Sequence, residues 1–146
     1  MKDDMLPVCI KGVAMPSRKD LPVVLLGEEN GLREFTLKIG ASEAGAILMK
    51  LEGVSTPRPM THELMAGIFK EQGINIYKVE LYKLYGINDG SCLAKIEYGR
   101  GLKTFSRDIR PSDALALAIN FGAPIFAHIS LIEDSADNGY EALDFG

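Results

Sequence analysis

The chain has 146 residues, 47% of them hydrophobic and 25% charged, which fits one soluble globular domain large enough to bury a core. No apolar run approaches the roughly 20 residues that span a bilayer, and Met1-Lys-Asp-Asp-Met-Leu-Pro7 lacks the apolar segment of a secretory signal, so a cytoplasmic location without membrane contact is expected. The net charge of −4 is unevenly placed: residues 1–132 hold 16 basic against 15 acidic side chains, or +1, whereas residues 133–146 hold the remaining acids and no base, or −5. Residues 1–132 are therefore read as the domain and residues 133–146 as a solvated acidic tail.

In chain order, residues 5–15 read as a first strand. Residues 22–40 read as a hairpin with Asn30-Gly31 near its turn, and Phe35, Leu37 and Ile39 alternate along the second arm. Ser42-Glu43 offers a cap and a first-turn acid to a helix whose apolar stripe is Ala44, Ile47, Leu48 and Leu51, and which Gly53 stops. Thr61 is placed to cap a second helix that would bury Leu64, Met65, Ile68 and Phe69. Residues 74–85 and 91–98 look like strands around Asn88-Asp89-Gly90. A strand from Leu102 to Ile109 leads into a third helix, and Pro124 to Leu131 reads as the last strand. The order β-β-β-α-α-β-β-β-α-β lacks the regular alternation of a parallel α/β fold, so the expected class is α+β with a largely antiparallel sheet. Cys9 and Cys92 lie in apolar, strand-like runs and read as buried free thiols.

The third helix carries the sharpest local contrast. Arg107, Asp108, Arg110 and Asp113 fall within seven residues, and Ala114 to Ile119 then carry no polar side chain. A helix apolar on every side belongs inside a protein. Arg110, between an alternating strand and that helix, is expected to be partly desolvated and paired with Asp108 or Asp113. Arg58-Pro59-Met60-Thr61-His62-Glu63 echoes Arg110-Pro111-Ser112-Asp113, each placing Arg-Pro just before a hydroxyl and an acid at a helix start. Both suit a helix N-terminus without any function, because Pro needs no N–H partner there and the helix dipole favours an acid.

Several chemistries are excluded. His62 and His128 are far apart in sequence, and no His-x-His, His-Glu-x-x-His or Cys-x-x-Cys suggests zinc. No P-loop, dinucleotide fingerprint or nucleophile elbow is present. Glu43 and Glu52 bracket one helix, but nine residues span about 900°, half a turn out of phase. Asp108 and Asp113 flank a strand-to-helix corner with arginines nearby. Such an arrangement suits magnesium-assisted attack on phosphodiesters, and equally a corner of plain ion pairs. Residues 95–110 hold Lys95, Arg100, Lys103, Arg107 and Arg110 against Glu97 and Asp108, a modest basic patch.

Four motifs, Gly40-Ala-Ser-Glu-Ala-Gly-Ala-Ile47, Leu51-Glu-Gly-Val54, Pro57-Arg-Pro-Met-Thr-His-Glu-Leu64 and Asp108-Ile-Arg-Pro-Ser-Asp-Ala-Leu-Ala-Leu-Ala118, together resemble the bifunctional nuclease family across residues 8–132. The resemblance implies a nuclease acting on DNA and RNA. The positions that match its motifs are Glu43, Glu52, Arg58, Thr61, His62, Asp108, Arg110, Ser112 and Asp113. The leading expectation is a phosphodiesterase that uses Mg²⁺ or Mn²⁺ held by Asp108, Asp113 and one of Glu43 or Glu52. Arg58, Arg110, Thr61 and Ser112 would hold phosphate, and His62 would move a proton beside Asp108 and Asp113. The rival expectations are a non-catalytic binding or assembly module, a dimer first among homo-oligomers, and a small-ligand sensor. A near-neutral body speaks against tight, non-specific nucleic-acid binding.

Overall fold

The computed structural model describes residues 4–14, 21–83 and 92–137. The elements run β1 (Met5–Ala14), β2 (Val23–Gly27), β3 (Glu34–Lys38), α1 (Ala41–Leu51), α2 (Thr61–Glu71), β4 (Asn75–Lys83), β5 (Cys92–Arg100), β6 (Lys103–Ile109), α3 (Pro111–Phe121), β7 (Ile125–His128) and α4 (Ile129–Asp137). The class is α+β, with the described strands in one sheet of order β3-β2-β1-β7-β4-β5-β6. Every pairing is antiparallel except that of β7 with β4.

Strand alternation divides the sheet into two unlike faces. Val79 and Leu81 of β4 stand in register with Ile96 and Ala94 of β5 and with Ile125 and Ala127 of β7, and all six are buried. On that face lies α3, whose Ala114, Leu115, Ala116, Leu117 and Ala118 are buried in succession. The apolar sequence of α3 is thus explained by sheet on one side and α1 and α2 on the others. Pro111 occupies its first turn, and Gly122 closes it in a left-handed conformation (φ 62°) that favours glycine. Along β4, β5 and β6 the opposite face is polar: Lys78 lies 3.8 Å from Glu80 and 3.6 Å from Glu97, and Lys95 lies 4.0 Å from Asp108. At the β5–β6 turn a Cβ on Gly99 would collide with the Lys103 carbonyl, so the close approach of the two strands needs a glycine there.

Several expectations need correction. The N-caps of α1 and α2 are Gly40 and Met60, and Ser42 and Thr61 lie inside the first turns without capping. Among the expected stripe of α2, Leu64, Met65 and Ile68 are exposed and only Phe69 is half-buried, its ring 6.3 Å from Phe121. Periodicity marks an apolar face but not what lies against it, and α2 rests mainly on α3 rather than on the sheet. On α1 likewise, Ala44 and Ile47 are buried whereas Leu48 and Leu51 are exposed. The last strand ends at His128, because the His128 Nδ1 accepts the Ser130 N–H at 3.2 Å and starts α4 there. That helix, absent from the expected order, crosses position 132, buries Leu131 and Ile132, and reaches Asp137. The Asn88-Asp89-Gly90 turn and residues 138–146 lie outside the described residues. Cys9 and Cys92 are free, and burial pushes the Cys92 thiol up to about 12, which keeps it protonated and unreactive at neutral pH.

Leu115→Ala, deleting a fully buried side chain of α3, is expected to cost about 2–5 kcal/mol in urea denaturation. Leu64→Ala, on the exposed side of α2, is expected to cost less than about 1 kcal/mol. Equal losses would mean that α2 buries its apolar stripe after all.

Candidate functional site

The three helices α1, α2 and α3 each carry an acid at their third residue: Glu43, Glu63 and Asp113. There the partial positive charge of the helix N-terminus favours a carboxylate. Glu63 turns back to its own helix end, its Oε1 accepting the Met60 N–H at 3.4 Å. Asp113 and Glu43 instead share one cation. Arg110 is the N-cap residue of α3 and precedes Pro111, so its backbone is extended (ψ 144°). Its guanidinium donates from Nε to Asp113 Oδ2 at 2.8 Å and from Nη2 to Asp113 Oδ1 at 3.0 Å, and its Nη1 lies 3.7 Å from Glu43 Oε1. One arginine therefore clamps the first turn of α3 and reaches that of α1. The hydrogen bonds to Asp113 hold its own proton more firmly than usual.

Around this clamp two hollows run together. The smaller, about 330 Å³, lies among the starts of the three helices and is lined by Ser42, Glu43, Thr61, His62, Ser112 and Asp113. The larger, about 600 Å³, opens between α2, α3 and the β5–β6 pair, with Phe69, Ile96, Tyr98, Ile109 and Leu117 as an apolar floor and Arg107 at its wall. Both contain Thr61, His62, Met65, Arg110 and Asp113. The result is one cleft with an aromatic floor and a charged mouth.

Of the residues expected from sequence, Glu43, Thr61, His62, Arg110, Ser112 and Asp113 are brought together. Glu52, Arg58 and Asp108 are not. Glu52 is the exposed C-cap residue of α1, at the far end of the helix from Glu43. Asp108 is two-sidedly separated from Asp113: its neighbours Arg107 and Ile109 line the cleft, so alternation turns Asp108 to the opposite face, where its side chain is 88% exposed beside Lys95. Arg58 lies in the exposed segment before α2, its carbonyl accepting the Thr56 hydroxyl. The echo between the two Arg-Pro motifs fails for a geometric reason. Arg110 and Asp113 are three residues apart and span one helical turn, whereas Arg58 and Glu63 are five apart and Arg58 precedes the cap.

The expected metal set of Asp108, Asp113 and one of Glu43 or Glu52 is therefore not assembled. Among the described residues no three His, Cys, Asp or Glu side chains are grouped to hold a metal ion, and both oxygens of Asp113 are engaged by Arg110. Arg107, noted in sequence only as part of the basic patch, and Tyr98 were not among the expected site residues. The signal for Arg107 was available, since it lies two residues before Ile109 on a strand and so shares its inward face. Among the described residues no carboxylate pairs with Arg107.

The sequence profile described as "Bifunctional nuclease domain" matches residues 24–138. The chain belongs to the bifunctional nuclease domain family. It is also 33% identical over 125 residues to two Mycobacterium tuberculosis proteins, "Uncharacterized protein Rv1829" and "Uncharacterized protein MT1877", covering 86% of this chain and 73% of each of them. The family match spans the whole cleft, from α1 through α3. No helix of the described residues is long and apolar enough to cross a membrane.

Arg110 was expected to be desolvated, but its side chain is 69% exposed. An exposed pair contributes little to stability. Arg110→Ala and Arg100→Ala are both expected to lower the melting temperature by less than about 4 °C in thermal unfolding. A fall above about 10 °C for Arg110→Ala alone would show that the clamp holds α1 and α3 together.

Proposed function

We propose that the cleft binds a phosphodiester of nucleic acid and hydrolyses it. The observation that carries this reading is the meeting of Arg107, unpaired among the described residues, with an oriented Arg110 and His62 in one aromatic-floored cleft. Arg107, without a carboxylate partner among the described residues, is the stronger anion ligand. Arg110, already matched by Asp113 and Glu43, contributes direction, presenting its guanidinium beside the starts of α2 and α3, where helix ends also favour anions. In hydrolysis, His62 takes a proton from the attacking water as the new P–O bond forms, the bond to the leaving oxygen breaks, and the departing alkoxide takes up a proton from solvent while His62 releases its own. An imidazole suits such transfer near neutral pH. Arg107 and Arg110 offset the charge gathering on the phosphate oxygens. Thr61 and Ser112 lie within the same cleft as hydroxyl donors. Asp108 and Glu52, expected among the ligands of Mg²⁺ or Mn²⁺, lie outside this cleft.

One observation favours a second reading, a module that binds without cutting. Arg110 engages both oxygens of Asp113 and approaches Glu43, which leaves His62 as the one unengaged base of the cleft among the described residues. The two readings separate in one assay. Purified protein is incubated with single-stranded RNA and DNA oligonucleotides, in EDTA, Mg²⁺ or Mn²⁺, and products are resolved on denaturing gels beside anisotropy binding curves. Cleavage is expected, reduced about 10²–10⁴-fold by His62→Ala, with binding weakened by Arg107→Ala. Binding without cleavage under every condition establishes the module; no binding at all removes both readings.

We also propose that two copies associate through the outer side of α2. Leu64 and Ile68, one turn apart, share an exposed face that no other described element covers, and such an apolar patch favours a partner. Light scattering is expected to give a dimer, converted to monomer by Leu64→Lys with Ile68→Lys. A monomeric wild-type protein would reject this interface.

A further inference from the structure

Beyond the cleft, a second hollow of about 550 Å³ continues along β5 and β6, sharing Tyr98 with it and lined by Arg100, Leu102, Lys103 and Phe105. Phe105 is 49% exposed on an edge strand, and its ring stacks on Tyr98 with centroids 5.6 Å apart. Alternation places Lys103, Phe105 and Arg107 on one side of β6 at steps of roughly 7 Å, so the aromatic platform stands between two cations. The pairing of charge differs across the sheet. On the polar face Lys78 and Lys95 each have carboxylate partners, whereas on the hollow's side Arg100, Lys103 and Arg107 have none among the described residues. Unmatched cations beside an exposed ring stack complement a ligand that alternates anions with flat aromatic groups. An apolar ligand would leave the cations unmatched, and an acidic peptide would leave the rings uncovered.

Resting on the nucleic-acid reading of the cleft, we propose that this hollow is a second subsite, which takes the neighbouring nucleotide of a single strand. Its base stacks on Phe105 and the intervening phosphate lies between Lys103 and Arg107. A base held this way cannot remain paired, so single strands bind in preference to duplex.

The test uses the full chain and fluorescein-labelled oligouridylate of about eight nucleotides, measured by anisotropy at fixed salt, with AMP as a one-nucleotide competitor. Phe105→Ala is expected to weaken oligouridylate about 10-fold and Lys103→Ala several-fold, while competition by AMP at the first cleft stays unchanged. Circular dichroism confirms that each variant is folded. Wild-type binding that Phe105→Ala leaves intact overturns the subsite but not the cleft. Absence of oligouridylate binding by the wild type overturns both. Equal binding of a matched duplex, or equal displacement by poly-glutamate, also overturns the subsite.

Discussion

The burial of α3 between the sheet and helices α1 and α2 is the constraint from which the site follows. A helix with Ala114 to Ala118 all inside can only lie flat against an apolar face, and Val79, Leu81, Ala94 and Ile96 supply it. The axis of such a helix fixes where its N-terminus emerges. Arg110, Pro111, Ser112 and Asp113 come out at the edge of the core, beside the starts of α1 and α2. The charged opening of an apolar helix is thus no contradiction: the body is core and the first turn is the rim of a cleft.

At that rim, charge matching separates two arginines only three residues apart. Arg110 spends its donors on Asp113 and Glu43 and is fixed in direction. Arg107, held on β6 with its side chain on the cleft face, has no carboxylate partner among the described residues. In the proposed function, the matched arginine would orient a phosphate and the unmatched one would attract it. The sheet repeats the division on a larger scale. Its outer face ties Lys78 and Lys95 to acids, whereas on the side that carries the hollows Arg100, Lys103 and Arg107 have no carboxylate partner among the described residues.

Much of the fold was legible because local rules are strong where residues repeat. Alternation in residues 34–38, the Asn30-Gly31 turn and the apolar run of α3 all specify their elements through short-range sterics and burial. The motif order identified the family, and six of its marked residues meet in the cleft. Charge, by contrast, was a poor guide to place. Asp108 and Asp113 are near in sequence, but one sits on a strand and the other on a helix, and the strand's two-residue period turns Asp108 away.

From sequence alone came the α+β class, the buried character of α3 and the helix-start position of its acid, because periodicity, Pro111 and the helix dipole act within a few residues. Only the tertiary structure decided that β7 enters the sheet between β1 and β4, that α2 leaves its apolar stripe outside, and that Arg107 shares a cleft with His62. Those facts depend on which surfaces segments far apart in the chain present to one another. Local propensity carries no record of that choice; the burial of α3 against the sheet makes it.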